Sequence, residues 1–183
     1  MNIGFAMCGS FCTHKKSLAV LRTLCGIGYD IQPIVSETVF STDTRFGCAS
    51  ALIAEMEALC KRPVIHTIAD AEPLGPISPL ELLIIAPCTG NTLAKMANGI
   101  TDTAVTMAAK AQLRADRPVL LGLCTNDALS ANLQNIARMH TRRHVSFLPM
   151  SLDDPKKKPY SLVCDFDAIP SLIPTLTKAP KDT

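Results

Sequence analysis

Four short stretches of small polar residues, each behind an apolar run, are where this chain could do chemistry. They are Gly9-Ser10-Phe11-Cys12-Thr13, Ser36-Glu37-Thr38, Thr89-Gly90-Asn91-Thr92 and Cys124-Thr125-Asn126-Asp127. The third is the most informative, because Leu82 to Ala86 is a continuous apolar run that stops at Pro87 and hands over to a loop and a helix opening on Asn91-Thr92. A buried parallel strand ends in that way, and ligands of open parallel sheets bind at that carboxyl edge. Exposed N–H groups and a helix dipole at Gly9, Ser10 and Thr13 could hold a phosphate. Hydroxyls at Ser36 and Thr38 could donate to the same group, and Thr125 and Asn126 could meet the polar edge of a heterocycle. Without a ligand, the first stretch is an ordinary strand-to-helix turn and the second a solvated loop. In the fourth, Asn126 or Asp127 would be a helix N-cap.

The titratable residues give no clear acid–base pair. His14, His66, His140 and His144 are spread out. His14, just past the first loop, reads as a solvated first-turn residue or as a contact to an anion. Arg45 could hold a carboxylate through its planar fork, or lie on the surface.

The elements that must position these residues follow from the patterning. The 183 residues, 48% apolar, suit one domain with a sizeable core, and the formal charge is only +2. With no Trp and 4% aromatic residues, a base-stacking nucleic-acid surface is not expected. Eight cysteines occur without a CxxC, which argues against zinc and for reduced thiols serving as small hydrophobes. No leader is expected, because residues 1–8 run straight into a strand, and no apolar stretch reaches the ~18–20 residues that span a membrane. The expectation is a soluble, cytoplasmic protein.

Strands are predicted over 2–8, 29–35, 63–66, 81–86, 118–124 and 144–148. Helices are predicted over 13–24 (with Thr13 as N-cap), 49–60, 91–98, 103–113, 128–140 and 169–176. Pro33 points to an edge strand or a bulge. The stretches 36–47, 69–79 and 153–159 read as loops. Alternation of apolar strands with helices implies an α/β, Rossmann-like three-layer sandwich, a parallel sheet with helices on both faces. Residues 1–177 read as a single domain and 178–183 as a frayed tail.

The run from Ala86 to Asp102 (Ala-Pro-Cys-Thr-Gly-Asn-Thr-Leu-Ala-Lys-Met-Ala-Asn-Gly-Ile-Thr-Asp) resembles the signature of the homo-oligomeric flavin-containing cysteine decarboxylase superfamily. Segments 9–13, 41–47, 71–76, 125–129 and 153–159 extend the resemblance, over nearly the whole chain, to the branch formed by the B subunits of dipicolinate synthase. It implies FMN as ligand, with Gly9, Ser10 and Thr13 at its phosphate and Ser36 and Thr38 nearby. Pro87, Thr89, Gly90, Asn91 and Thr92 would line the ribityl chain and flavin edge, and Thr125 and Asn126 would lie near the ring. It also implies a trimer or dodecamer and a partner A subunit carrying a nicotinamide dinucleotide. The implied activity is oxidoreduction of a small dicarboxylate from the lysine pathway to dipicolinate during sporulation. Arg45 and Lys95 would hold its carboxylates. The alternatives are a non-catalytic flavin-fold scaffold for the A subunit, or a flavin-dependent decarboxylase or prenyltransferase. Two departures speak against cysteine decarboxylation. Pro73 stands where those decarboxylases carry a histidine, and Cys124-Thr125-Asn126-Asp127 stands where they carry Pro-Ala-Met-Asn.

Overall fold

A computed structural model of the chain describes residues 1–75 and 77–177, and the expectation for 178–183 lies outside the described residues. Apolar runs that lack polar alternation must be buried on both faces, and they form the centre of one sheet. Its strands are β1 (Asn2–Met7), β2 (Asp30–Val35), β3 (Leu82–Cys88), β4 (Val119–Thr125), β5 (Val145–Phe147), β6 (Met150–Asp154) and β7 (Lys158–Cys164). The order is β2-β1-β3-β4-β7-β6, with β5 beside β4 as well. Strands β2, β1, β3, β4 and β5 are parallel, while β7 runs antiparallel to β4 and to β6. Pro33 sits on the edge strand β2, as the sequence indicated, where its missing N–H interrupts no central ladder. Ile65 covers that edge with a single bridge to Ile34, and its N–H donates to Pro33 O at 3.0 Å.

Eight helices cover the sheet among the described residues: α1 (His14–Ile27), α2 (Glu37–Ser41), α3 (Ala49–Cys60), α4 (Ile68–Ala71), α5 (Gly90–Ala97), α6 (Ala104–Arg114), α7 (Leu133–His140) and α8 (Ile169–Thr177). Helix α1 buries Ser17, Val20, Leu21 and Leu24, a helical stripe, and Gly28 ends it in the left-handed conformation at φ 97°. Each fully buried leucine of that stripe contributes about 1.5–3 kcal/mol. One apolar layer joins Phe5, Met7, Ile84 and Leu120 to Leu21, Leu24, Met56 and Ile173. The opposite layer joins Ala6, Leu83, Ile85, Leu121 and Leu123 to Leu93, Met96, Val105 and Ala108. Among the described residues no helix is long and apolar enough to cross a membrane.

Several expectations need correction. The mostly parallel sheet carries an antiparallel hairpin over 150–164, and the stretch 153–159 that reads as a charged loop is its turn with the adjoining strand ends. Most residues of β6 and of the first half of β7 face solvent, so they lack the apolar alternation that marks a strand. The Asp154 carboxylate closes the hairpin turn by accepting from the N–H groups of Lys156 and Lys157 at 3.1 and 3.0 Å. Residues 63–66 make one bridge rather than a strand. The loop readings over 36–47 and 69–79 miss α2 and α4, which are only 5 and 4 residues long and are each started by a capping hydroxyl, Ser36 and Thr67. Helix α7 starts at Leu133 rather than 128, because Asp127 organises the preceding turn. Thr13 occupies the N-cap position of α1 but does not cap it, since its hydroxyl donates to Ser10 O at 2.8 Å.

A Cβ placed on Gly122, in the middle of β4, would stand 2.9 Å from Ala86 Cβ and 3.0 Å from Leu148 Cδ1. Ala86 is fixed by its strand, so Gly122→Ala is expected to lower stability by about 1–3 kcal/mol in urea denaturation. An unchanged midpoint would mean that this layer has room to spare.

Candidate functional site

The four polar loops all leave the carboxyl ends of adjacent parallel strands. Segments 8–13, 36–38, 89–92 and 125–127 follow β1, β2, β3 and β4, whose order in the sheet is β2-β1-β3-β4. Backbone bonds continue the sheet into them: Cys8 N–H donates to Pro87 O at 3.0 Å, and Ser36 N–H to Met7 O at 3.0 Å. A β-bulge between Ile85 and Cys88 falls where Pro87 has no N–H to give the ladder.

Helix α5 begins at this edge. Thr89 is its N-cap, with the hydroxyl accepting from Thr92 N–H at 3.2 Å. Thr92 is buried; its hydroxyl donates to Cys8 Sγ at 3.3 Å and accepts from Thr89 Oγ1 at 3.1 Å. The ends of β1 and β3 and the start of α5 are thereby tied at one point. Gly90 is required by its neighbours, since a Cβ there would stand 2.5 Å from Asn132 Nδ2, 2.7 Å from Thr125 Oγ1 and 2.9 Å from Asp127 Oδ1. Those three atoms form their own network. Thr125 Oγ1 donates to Asp127 Oδ1 at 2.5 Å, and Asn132 Nδ2 donates to both carboxylate oxygens at 2.9 Å. Neither Asn126 nor Asp127 is the helix cap read from the sequence; Asn132 occupies that position.

Some expected residues are committed to the scaffold and others face outward. Ser36 Oγ caps α2 by accepting from Val39 N–H at 3.4 Å, so Ser36 belongs to a helix start rather than to a solvated loop. The side chains of Ser10, Thr38, Asn91 and Asn126 make no hydrogen bond within the described residues, and all but the half-buried Ser10 are exposed. Of the first turn of α5, the N–H groups of Thr92 and Leu93 are taken by Thr89, and those of Gly90 and Asn91 have no acceptor among the described residues. Gly9 faces Phe11 and Thr38, whose Cγ2 would lie 3.9 Å from a Cβ there, so the first two loops touch. Outward side chains from four loops, a helix N-terminus and a floor that excludes bulk at Gly90 fit an anionic, hydrogen-bonding cofactor such as a flavin mononucleotide.

Arg45 and Lys95 lie elsewhere. Arg45 is exposed, with its guanidinium 4.9 Å from the Phe46 ring centroid. Phe46 lines a cavity of about 200 Å³ that also touches Phe11, His14, Leu18 and Leu52, and so adjoins the first loop. Lys95 Nζ is bound to Asp102 Oδ2 at 2.9 Å near the far end of α5, and holds that carboxyl below its usual range.

Sequence reasoning missed three supports of the site. Ser17 Oγ donates to Ala86 O at 2.5 Å and ties α1 to β3; its signal is a small polar residue within an apolar helical stripe. Asp127 and Asn132 are separated by 5 residues and have no periodic signal. His14 is 8% exposed rather than solvated, with Nε2–H donating to Cys8 O at 2.8 Å. Burial holds its pKa below the usual 6.5, so it stays neutral, and this outweighs the upward effect of the Cys8 carbonyl. Burial likewise pushes the Cys8 thiol up to about 11, against the Thr92 hydrogen bond.

A lowered histidine pKa means that the unfolded chain takes up the proton first as pH falls. The native state therefore loses stability as pH drops below the unfolded value of 6.5. His14→Gln, measured by chemical denaturation from pH ~7.5 to ~5, is expected to flatten that loss. An identical slope in the variant would remove His14 from the titration.

Residues 1–177 match the family model described as Flavoprotein. The B subunit of dipicolinate synthase from Bacillus subtilis (strain 168) is 43% identical over 171 residues, covering 93% of this chain and 86% of that protein. The crystal structure of the dipicolinate synthase B subunit from Bacillus halodurans C superposes with a TM-score of 0.88 at 38% identity, over 100% of this chain and 93% of the other. The FMN-dependent cysteine decarboxylase SpaF has a TM-score of 0.72 at 21% identity, over 98% of each chain, and shares the fold.

Proposed function

The chain belongs to the flavoprotein family, and from that premise we propose that it works as the flavin-holding B subunit of a dipicolinate synthase. Residues 1–177 would act as one domain. The reaction is formation of pyridine-2,6-dicarboxylate from a dihydrodipicolinate-type intermediate of the lysine pathway during sporulation, in a cytoplasmic complex with an A subunit that carries a nicotinamide dinucleotide. The observation that carries this reading is that the four polar loops meet at one sheet edge in a chain similar over 93% of its length to such a subunit.

In this reading FMN, when bound, supplies hydride-accepting chemistry. The chain's own residues bind and orient. Gly9, Ser10 and Thr13 would face the phosphate, with Ser36 and Thr38 beside them. Pro87, Thr89, Gly90, Asn91 and Thr92 would line the ribityl chain and ring edge, and Thr125 and Asn126 would lie near the ring. Thr92, Thr125 and Ser36 act partly through the loops they hold, because their hydroxyls already have partners. Arg45 is the proposed carboxylate contact, on the rim beside the Phe46 cavity. Lys95 could contribute only after release from Asp102. A homo-oligomer, trimer or dodecamer, would bring a second chain to the exposed Thr38, Asn91 and Asn126 side of the flavin site.

One observation favours a second reading, a non-catalytic flavin-fold scaffold for the A subunit. The titratable side chains that contact the edge scaffold are engaged: His14 by a carbonyl and Asp127 by Thr125 and Asn132. The visible spectrum of the purified protein separates the two. Flavin bands, with FMN released on denaturation, are expected, and Asn91→Ala should weaken FMN binding by about 1–3 kcal/mol. A colourless protein that does not take up added FMN would leave the scaffold reading. Co-expression with an A subunit tests the activity: dipicolinate formation is expected to depend on this chain, and equal yield without it would overturn the assignment.

A further inference from the structure

Two thiols that the flavin reading does not use lie against one another. Cys124 is the penultimate residue of β4, and Cys164 ends β7, the antiparallel neighbour of β4. Their Sγ atoms are 3.5 Å apart, and both side chains are buried. Gly122, two positions before Cys124 and so on the same face of β4, makes the space that Cys164 occupies. A Cβ there would stand 3.1 Å from Cys164 Sγ. Cys164, with Val163, Lys16 and Phe166, lines a cavity of about 550 Å³, and the Cys124 sulfur lies 3.5 Å behind that of Cys164.

The surroundings also favour attack by one sulfur. The Cys164 S–H and the Lys16 ammonium hold the Cys124 thiol below its ordinary range, although burial opposes them. The second proton stays on Cys164, which is pushed far up by its bond to Cys124 and by burial. Cys25 and Cys60 are also neighbours, but burial raises both thiols, Cys60 to about 12. Cys12 and Cys48 are exposed.

We propose that Cys124 and Cys164 are a redox-active dithiol that closes to an intramolecular disulfide when a peroxide enters the adjoining cavity. The Cys124 thiolate attacks one peroxide oxygen, the O–O bond breaks, and the leaving hydroxide takes a proton to become water. Cys124 is then a sulfenic acid. The Cys164 sulfur attacks that sulfur, the S–O bond breaks, and a second water leaves with the Cys164 proton. Two thiols and one hydrogen peroxide give one disulfide and two waters, with two electrons passing from sulfur to oxygen. Closure draws the sulfurs to about 2.05 Å and so pulls the end of β7 onto β4 just before Thr125. The dithiol chemistry does not require bound flavin.

The test uses the full chain, reduced and desalted, then treated with hydrogen peroxide, blocked with iodoacetamide and mapped by peptide mass spectrometry. The expected product has lost two hydrogen atoms and joins the Cys124 peptide to the Cys164 peptide, and dithiothreitol reverses it. In Cys164→Ala, whose fold is checked by its thermal melt, Cys124 is expected to stop at a sulfenic acid that dimedone traps. The wild-type map decides by itself if that variant does not fold. Three outcomes would overturn the proposal: Cys124 and Cys164 both alkylated while Cys12 and Cys48 oxidise, a Cys25–Cys60 link appearing first, or independent oxidation of the two thiols to sulfinic acids.

Discussion

The buried hydroxyl of Thr92 holds the polar edge of this molecule together. It links the Cys8 thiol at the end of β1 to the Thr89 cap of α5, so three elements meet within hydrogen-bond reach. A hydroxyl buried this deeply costs about 1–3 kcal/mol if left without partners, which makes the arrangement self-enforcing. The backbone bond from Cys8 to Pro87 O and the Ser17 bond to Ala86 O strengthen the same junction from either side. The first turn of α5 is consequently presented at a fixed place.

Around that junction the small residues decide what fits. Gly90 lets the Thr125–Asp127–Asn132 network close against the start of α5, and any side chain there would push the fourth loop away from the third. The network commits the one carboxylate of the fourth loop to structure. His14, neutral and bound to a carbonyl, is committed in the same way. Apart from the exposed Glu37, what remains outward is chiefly hydroxyls, amides and backbone donors, suited to binding and orienting a ligand. This division supports the proposed role of holding a cofactor that would supply the hard chemistry.

The parallel half of the sheet was legible in the sequence because its strands are buried on both sides and read as unbroken apolar runs. Pro33 marked its edge, and the polar tails of β1, β3 and β4 marked the loops. The hairpin from Met150 to Cys164 was not legible, since a half-exposed strand containing Lys158, Pro159 and Tyr160 carries no period-two signal. Nor was the role of Asp127, whose partners are set by the turn between Thr125 and Asn132 and not by spacing along a helix. Side-chain commitment was hardest to foresee. Ser36, Thr92 and Thr125 are the right residue types for ligand contacts, but the structure engages each in a scaffold bond. The thiol pair at Cys124 and Cys164 depends on an antiparallel neighbour that only the fold supplies.

The proposed cofactor site is the edge formed by segments 9–13, 36–38, 89–92 and 125–126. A crystal structure of the protein grown with FMN tests it directly. Density for the phosphate is predicted within hydrogen-bond distance of Ser10 and the Gly9 loop, with the ribityl chain and ring edge running past Asn91 towards Asn126. Density confined to another face, or none at saturating FMN in crystals where this edge is open to solvent, would contradict it.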